Sequence, residues 1–348
     1  MKISENVPIA NLTTIKIGGP ARYVIEVESL DDVLEAWRFA NKRGLNIFIL
    51  GDGANVIGRD EGFKGVILQN KMRGIESSYD ENGTFLVRGM GGEKWDDIVE
   101  FACQSGYSGI EAMSAIPGTL GAAPVQNIGA YGQDISQVIE DVEVFDLLTQ
   151  QFVTLSKESL GMGYRRSIFN SGETKGRYFI IAVTLRLRSG NLTPPLYASL
   201  QDYVNRHGVT DLSPASIRRM VMEIRASKLP DLAVEPSAGS FFKNIYLTDA
   251  DADTVEARGV QVWRKPGENK VSAGWLLEEC GLKGQVFHGM RVSEKSALVL
   301  INQYAKTYED LARARYEIQQ IIQTKFGLVL EQEPVEVPLQ WKFWTARS

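Results

Sequence analysis

The sequence predicts an α+β protein of two or three domains, and three observations carry that prediction. The chain has 348 residues, more than one hydrophobic core usually organises. Stretches with apolar residues on alternating positions, the period of a half-buried strand, are interleaved with capped stretches of helical period. Two strand-like stretches, 138–148 and 151–155, follow one another closely enough to form a hairpin. No strand runs into the Gly-x-Gly-x-x-Gly turn of a dinucleotide-binding sheet, nor into a Gly-x-x-x-x-Gly-Lys-Ser/Thr phosphate loop.

Tyr23 to Val27 alternates as the first strand. Ser29 then reads as an N-cap, with Asp31 and Asp32 in the first turn, where the helix dipole favours negative charge. That helix is expected to reach about Arg43 and stop at Gly44. The apolar run Ile47 to Leu50 is a buried strand that delivers the chain into Gly51-Asp52-Gly53-Ala54-Asn55. A glycine turn at a strand end presents amides to a phosphate, although this pentapeptide alone is more commonly a plain tight turn.

From about residue 71 a second α+β unit is expected. Thr84 to Arg88 is its strand, Gly89, Gly91 and Gly92 a loop, and Glu93 to Gln104 a helix burying Trp95, Ile98, Val99 and Ala102. Residues 110–134 follow, with four glycines sheathed in alanines. Such a stretch lets backbone approach a ligand or another chain closely. Tyr178 to Leu187 is a further strand.

Residues 189–198, SGNLTPPLYA, read as a linker or flap, because adjacent prolines remove donors and oppose helix. Ser213-Pro214, an N-cap followed by proline at the first helical position, opens a helix to about Ser227 that Pro230 stops. A third domain is expected from near Pro195 to about Gly327. It holds a helix from Ser272 to Cys280 closed by Gly281, a strand from Ala297 to Ile301, and a long helix from Thr307 to Lys325 burying Leu311, Ile318, Ile321 and Ile322. Residues 328–333 read as a strand before Pro334.

Composition bounds the partners. With 44% hydrophobic and 23% charged residues the chain is of ordinary globular type, and a net charge of -5 lacks the basic excess that nucleic acid demands. The start, MKISENVPIANL, has no signal-peptide core, and no run approaches the roughly 20 apolar residues that span a bilayer. A cytoplasmic location without nucleic-acid or membrane partners is expected. Cys103, Cys280, His207 and His288 are too few for a disulfide framework or a metal site, so no metal is expected and both cysteines read as buried thiols.

Three places carry chemistry by residue type. In Gly163-Tyr164-Arg165-Arg166-Ser167 an arginine fork suits a carboxylate or phosphate, against the alternative of a solvated basic turn. Residues 237–244 set Ser240, Lys243 and Asn244 beside Phe241 and Phe242, or simply begin a strand with Phe241 in the core. Glu331 and Glu333 share a face by strand period, with Glu336 nearby, as a carboxylate site or a solvated edge. Ser240 lacks a Gly-x-Ser-x-Gly elbow, which favours proton donation over nucleophilic attack.

Several segments, in order across nearly the whole chain, together resemble the bacterial UDP-N-acetylenolpyruvoylglucosamine reductases. They are Asn11-Leu12-Thr13-Thr14 with Gly18-Gly19, the Gly51 to Asn55 loop, Ile116 to Gly132, GYRRSIF at 163–169, KLPD at 228–231 and AGSFFKN at 238–244. Ala54 departs from the family's serine, and Ser296 stands where many members have histidine.

The resemblance implies an FAD-binding fold of the vanillyl-alcohol-oxidase type in two subdomains, plus a C-terminal α+β substrate domain. The first subdomain is 1–70, joined by the C-terminal strand 328–348, the second 71–194, and the substrate domain 195–327. It also implies that Gly51, Asp52, Gly53, Ala54 and Asn55, with Pro117, Gly118, Thr119, Gly121, Ala122, Gln126, Asn127, Gly129, Ala130 and Tyr131, cradle non-covalent FAD.

The implied reaction is reduction by NADPH, through flavin N5, of UDP-N-acetylglucosamine enolpyruvate to UDP-N-acetylmuramate. This is a step of peptidoglycan precursor synthesis, and so of cell wall biogenesis, cell shape and cell division, performed by a monomer. Arg165 and Glu333 match the groups that stabilise charge on the substrate carboxylate, and Ser240 matches the proton donor. Lys228 and Asn244 match substrate contacts, and Tyr197 the tyrosine of the longer subgroup's flap. Pro334 to Val337 leaves Glu331 and Glu336 as alternatives to Glu333. An FAD oxidase of the same fold is opposed by the Ser240 and Arg165 motifs. A non-catalytic nucleotide-sugar binder would be colourless where a flavoprotein is yellow.

Overall fold

Residues 1–337 are described by the computed structural model. In chain order the first unit comprises β1 (Lys2–Pro8), β2 (Pro20–Val27), α1 (Leu30–Lys42), β3 (Ile47–Leu50), β4 (Val56–Gly58) and β5 (Phe63–Asn70). Four of its strands form a sheet in the order β1-β2-β5-β3, with β5 parallel to both its neighbours. Helix α1 starts where the sequence places it, since Ser29 Oγ accepts from the Asp32 N–H at 3.2 Å. It lays Val33, Ala36, Trp37 and Ala40 in one core with Ile25, Val66 and Leu68. That core continues into Phe145, Phe179 and Ile181 of the second unit, and Trp37 Nε1 donates to the Leu147 carbonyl at 3.0 Å. The first two units therefore share a core.

The second unit comprises β6 (Ile75–Tyr79), β7 (Phe85–Met90), α2 (Trp95–Gln104), β8 (Tyr107–Ser108), β9 (Gly129–Ala130), β10 (Gln133–Asp134), β11 (Ile139–Asp146), β12 (Gln151–Ser156) and β13 (Tyr178–Ser189). Its antiparallel sheet runs β12-β11-β13-β7-β6, and the expected hairpin is β11 and β12, with Phe145 opposite Phe152. Helix α2 buries Trp95, Ile98, Val99 and Ala102 as its period predicts. The indole N–H of Trp95 donates to the Met113 carbonyl at 2.9 Å, drawing residues 110–134 onto the helix.

Helices α3 (Ala198–His207) and α4 (Pro214–Lys228) follow. Ser213 caps α4 by accepting from Ser216 N, and Pro214 opens it. The expected boundary near Pro195 does not coincide with a change of packing. Leu200, Ile217, Met220, Val221 and Ile224 enclose Ala112 of the second unit, and the Arg218 guanidinium forks onto Asp96 of α2 at 2.6 and 2.9 Å. The apolar face of α4 finds its partner backward in the chain, which the period of one helix cannot reveal.

A separate core begins with β14 (Ser237–Ser240) and continues through β15 (Ile245–Leu247), α5 (Asp249–Glu256), β16 (Trp263–Lys265), β17 (Glu268–Val271), α6 (Ala273–Glu279), β18 (Val286–Phe287), β19 (Met290–Val292), β20 (Val299–Asn302) and α7 (Tyr308–Phe326). Two sheets, β14-β20-β19-β18 and β15-β17-β16, belong to it. Thr307 and Asp310 form a capping box on α7, which buries Leu311, Ala314, Ile318 and Ile322. Ile321 is only half-buried, as is Cys280, whereas Cys103 is buried.

Residues 328–333 do not form the regular strand expected of them. Leu328 and Leu330 enter the third core, and Gln332 makes a single bridge to Phe242. Pro334 has no N–H to continue a ladder. The regular strand, β21 (Val335–Val337), comes after it and pairs in parallel with β4. The rest of the expected closing strand, 338–348, lies outside the described residues. Among the described residues no helix is long and apolar enough to cross a membrane, and no cluster of three or more His, Cys, Asp or Glu side chains is placed to hold a metal.

Candidate active site

Three glycine loops meet along a cleft of about 650 Å³. Gly51 leaves only 2.7 Å between the place a Cβ would occupy and Thr119 Oγ1. Gly53, at φ +67°, leaves 2.0 Å to the Leu12 carbonyl oxygen, and Gly121 leaves 2.8 Å to that of Gly91. A methyl group at Gly51 or Gly121 would push the loops apart, and one at Gly53 would displace the 12–13 segment, so glycine is what brings these backbone runs side by side. Gly118, at φ +124°, lines the cleft with nothing within 4 Å of its Cβ position. A bare-backbone cradle of this size suits a large cofactor approached by amides, and FAD fits it.

The loops are stitched to the end of the chain by side-chain amides. Asn55 Nδ2 donates to Gln126 Oε1 at 2.7 Å, and Gln126 Nε2 donates to the Glu333 carbonyl at 3.3 Å. Val335 N donates to the Asn55 carbonyl at 3.0 Å. Thr14 N reaches the Gly53 carbonyl at 3.2 Å, and Thr14 Oγ1 the Ser237 carbonyl at 2.6 Å, tying the first loop to β14.

Residues 331–333 run antiparallel to 241–243, with Lys243 N donating to the Glu331 carbonyl and Glu333 N to the Phe241 carbonyl, both at 2.9 Å. Ser240 and Glu333 therefore lie on adjoining backbone segments, and both line the cleft. The two glutamates expected to share a face by period 2 differ sharply in environment. Glu331 is 73% exposed beside Lys243, whereas Glu333 is 11% exposed beside Arg165.

Arg165 Nε stands 2.8 Å from Glu333 Oε1, although its buried N–H is not aligned on an acceptor. Arg165 holds φ +52°, a conformation that costs a non-glycine residue about 1–2 kcal/mol. Burial pushes the Glu333 carboxyl above its usual range, with Arg165 and Lys243 pulling the other way. Glu336 is engaged elsewhere, 2.6 Å from Arg315 and 3.5 Å from Arg59. Of the three carboxylates left open by sequence, Glu333 is the one at Arg165.

Gly51 to Asn55, Pro117, Gly118, Thr119, Gly121, Ala122, Gln126 and Gly129 line the cleft together with Arg165, Ser240 and Glu333. The remaining candidates lie outside its wall. Asn127 spends its amide inside the fold, donating to the Gly163 carbonyl at 3.1 Å and accepting from Ser136 N at 3.0 Å. Ala130 pairs with Gln133. Tyr131 packs edge-on against Tyr197 at 5.9 Å, and Tyr197 is 50% exposed. Lys228 is exposed at the end of α4, and Asn244 Oδ1 accepts from Ala273 N at 3.2 Å.

The cleft wall also includes Arg225, Lys175 and Lys243. Arg225 had a legible signal, since it interrupts the α4 stripe next to Ile224 and within one turn of Val221. Burial lowers its pKa, and Nη2 donates to the Ala115 carbonyl at 3.2 Å. Lys175 lies in a turn with no such signal.

The family model described as an FAD binding domain matches residues 21–151. The one described as the C-terminal domain of UDP-N-acetylenolpyruvoylglucosamine reductase matches residues 230–337. The chain is 37% identical to the UDP-N-acetylenolpyruvoylglucosamine reductase of Pasteurella multocida, over 92% of this chain and 93% of that one. It is 34% identical to that of Escherichia coli K12, over 92% of each. The crystal structure of the enzyme of that name from Thermus caldophilus shares the fold, with a TM-score of 0.66 at 24% identity over 97% of this chain and 100% of that one.

Proposed function

The chain belongs to the UDP-N-acetylenolpyruvoylglucosamine reductase family, and on that premise we propose how its cleft performs the reduction, with NADPH as hydride donor. It is an FAD-containing oxidoreductase of peptidoglycan precursor synthesis, acting on UDP-N-acetylglucosamine enolpyruvate to give UDP-N-acetylmuramate. The glycine loops 51–55 and 117–122, with Gln126 and Gly129, hold FAD. When bound, FAD relays hydride from NADPH to the enolpyruvyl methylene carbon.

Arg165 binds the substrate carboxylate, where negative charge grows as the hydride arrives, and Glu333 fixes the orientation of Arg165. Ser240 Oγ donates its proton to the adjacent carbon, and water restores the hydroxyl. Serine is a weak acid, but a strongly basic enolate held in contact with it makes the transfer downhill. Arg225 and Lys243 offer positive charge to the diphosphate inside the cleft. Lys228, Asn244 and Tyr197 serve the nucleotide at its outer side, with Tyr197 carried inward on the flap. A monomeric cytoplasmic enzyme whose product serves cell wall biogenesis, and through it cell shape and division, completes the reading.

The observation that supports this most is the Arg165–Glu333 pair at 2.8 Å in the cleft that Ser240 also lines. Ser240→Ala tests it by stopped-flow absorbance. Flavin reduction by NADPH is expected within about twofold of the parent, with reoxidation by the enolpyruvyl substrate slowed about 10²-fold or more. Equal slowing of both steps rules out Ser240 as the proton donor.

A further inference from the structure

Arg315 is a charged residue on a nearly apolar helix face. It lies one turn after buried Leu311 and beside buried Ala314 on α7, and only 23% of its side chain is exposed. Its Nη1 donates to Gln332 Oε1 and to Glu336 Oε1, each at 2.6 Å, and Nη2 lies 3.5 Å from the Tyr308 hydroxyl. These two acceptors flank Glu333, one residue before it and three after. Gln332 also turns its Nε2 to the Pro334 carbonyl at 2.7 Å, closing the bend that follows Glu333. One guanidinium thus grips both ends of the segment that presents the Glu333 carboxyl.

We propose that Arg315 is a positioning residue for the reaction, holding residues 332–336 so that Glu333 stands against Arg165. Arg315 does not itself line the cleft and is not bonded to Glu333, but both of its acceptors, Gln332 and Glu336, line the cleft on either side of Glu333. The main chain of Glu333 has independent anchors in the Phe241 carbonyl and Gln126 Nε2. Glu336 also lies 3.5 Å from Arg59, a second cation independent of Arg315. Loss of Arg315 therefore frees the Gln332 and Glu336 side chains that flank Glu333, while the Glu333 main chain keeps its own anchors. Both oxygens are held by the one nitrogen Nη1, a pair of bonds that a lysine ammonium can replace in part.

The inference rests on the proposed roles of Arg165 and Glu333. Its test is a double-mutant cycle on substrate-driven flavin reoxidation after anaerobic reduction by dithionite, so the nicotinamide donor plays no part. Arg315→Met is expected to slow reoxidation about tenfold in the parent and to add nothing in a Glu333→Gln background, because both changes remove one arrangement. Arg315→Lys is expected to recover part of the loss, and it carries the same cycle if Arg315→Met does not fold. NADPH-driven reduction stays within about twofold in the Arg315→Met and Arg315→Lys single variants. Losses that multiply across the cycle, or equal slowing of both half-reactions, overturn the positioning role. A parent chain that the substrate does not reoxidise refutes the functional reading instead.

Discussion

At Glu333 two forces act in opposite directions. Removal from water disfavours the carboxylate, Arg165 at 2.8 Å favours it, and burial prevails, so the folded pKa lies above the ordinary 4.5. A raised carboxyl pKa means that the folded state holds its proton more tightly than the unfolded chain does. Its contribution to stability is complete below 4.5 and is lost as pH rises through the folded value. Glu333→Gln cannot ionise. The melting temperature of the parent is therefore expected to fall relative to that of Glu333→Gln as pH climbs through this window. A gap that stays constant with pH contradicts the raised pKa. The residue types at 165, 240 and 333 are legible in sequence through their motifs. Which of three glutamates meets Arg165 is not, because it depends on the break at Pro334 and on Arg59 and Arg315 engaging Glu336.

Among the elements, those with local causes are the ones the sequence announces. Ser29, Ser213, Ser272 and Thr307 each cap the helix they precede, and the apolar stripes of α2 and α7 are buried almost as their periods predict. Docking is not local. The apolar face of α4 could close on the third core as well as on Ala112, and only the assembled fold settles the choice. The glycine loops share this property, since their composition announces close approach without naming the neighbour. Gly121 shows the neighbour to be the Gly91 carbonyl, 2.8 Å from where a Cβ would stand. Backbone cannot swing aside as a side chain can, so Gly121→Ala is expected to part the second loop from the third. Flavin affinity, measured by fluorescence titration of the stripped chain, should fall about tenfold or more while the circular dichroism spectrum is retained. Unchanged affinity contradicts the cradle.

Across the whole molecule a net charge of -5 coexists with a cleft that gathers Arg165, Lys175, Arg225 and Lys243. Global charge gives no reason to expect nucleic acid, while local charge prepares a seat for small anions, and the two act at different lengths. Order along the chain hides how the site is assembled. Thr14, Asn55, Gln126, Ser237 and Val335 are far apart in sequence, yet their hydrogen bonds join the cofactor loops to the segments bearing Ser240 and Glu333. On the proposed reading one cleft serves hydride donor and substrate in turn, which makes the two half-reactions separable. The most direct measurement follows flavin absorbance without oxygen, first on adding NADPH and then on adding UDP-N-acetylglucosamine enolpyruvate. Bleaching by NADPH and return of the oxidised spectrum with the enolpyruvyl substrate, accompanied by one equivalent of UDP-N-acetylmuramate, is the predicted result; a flavin that stays bleached until oxygen is admitted contradicts it.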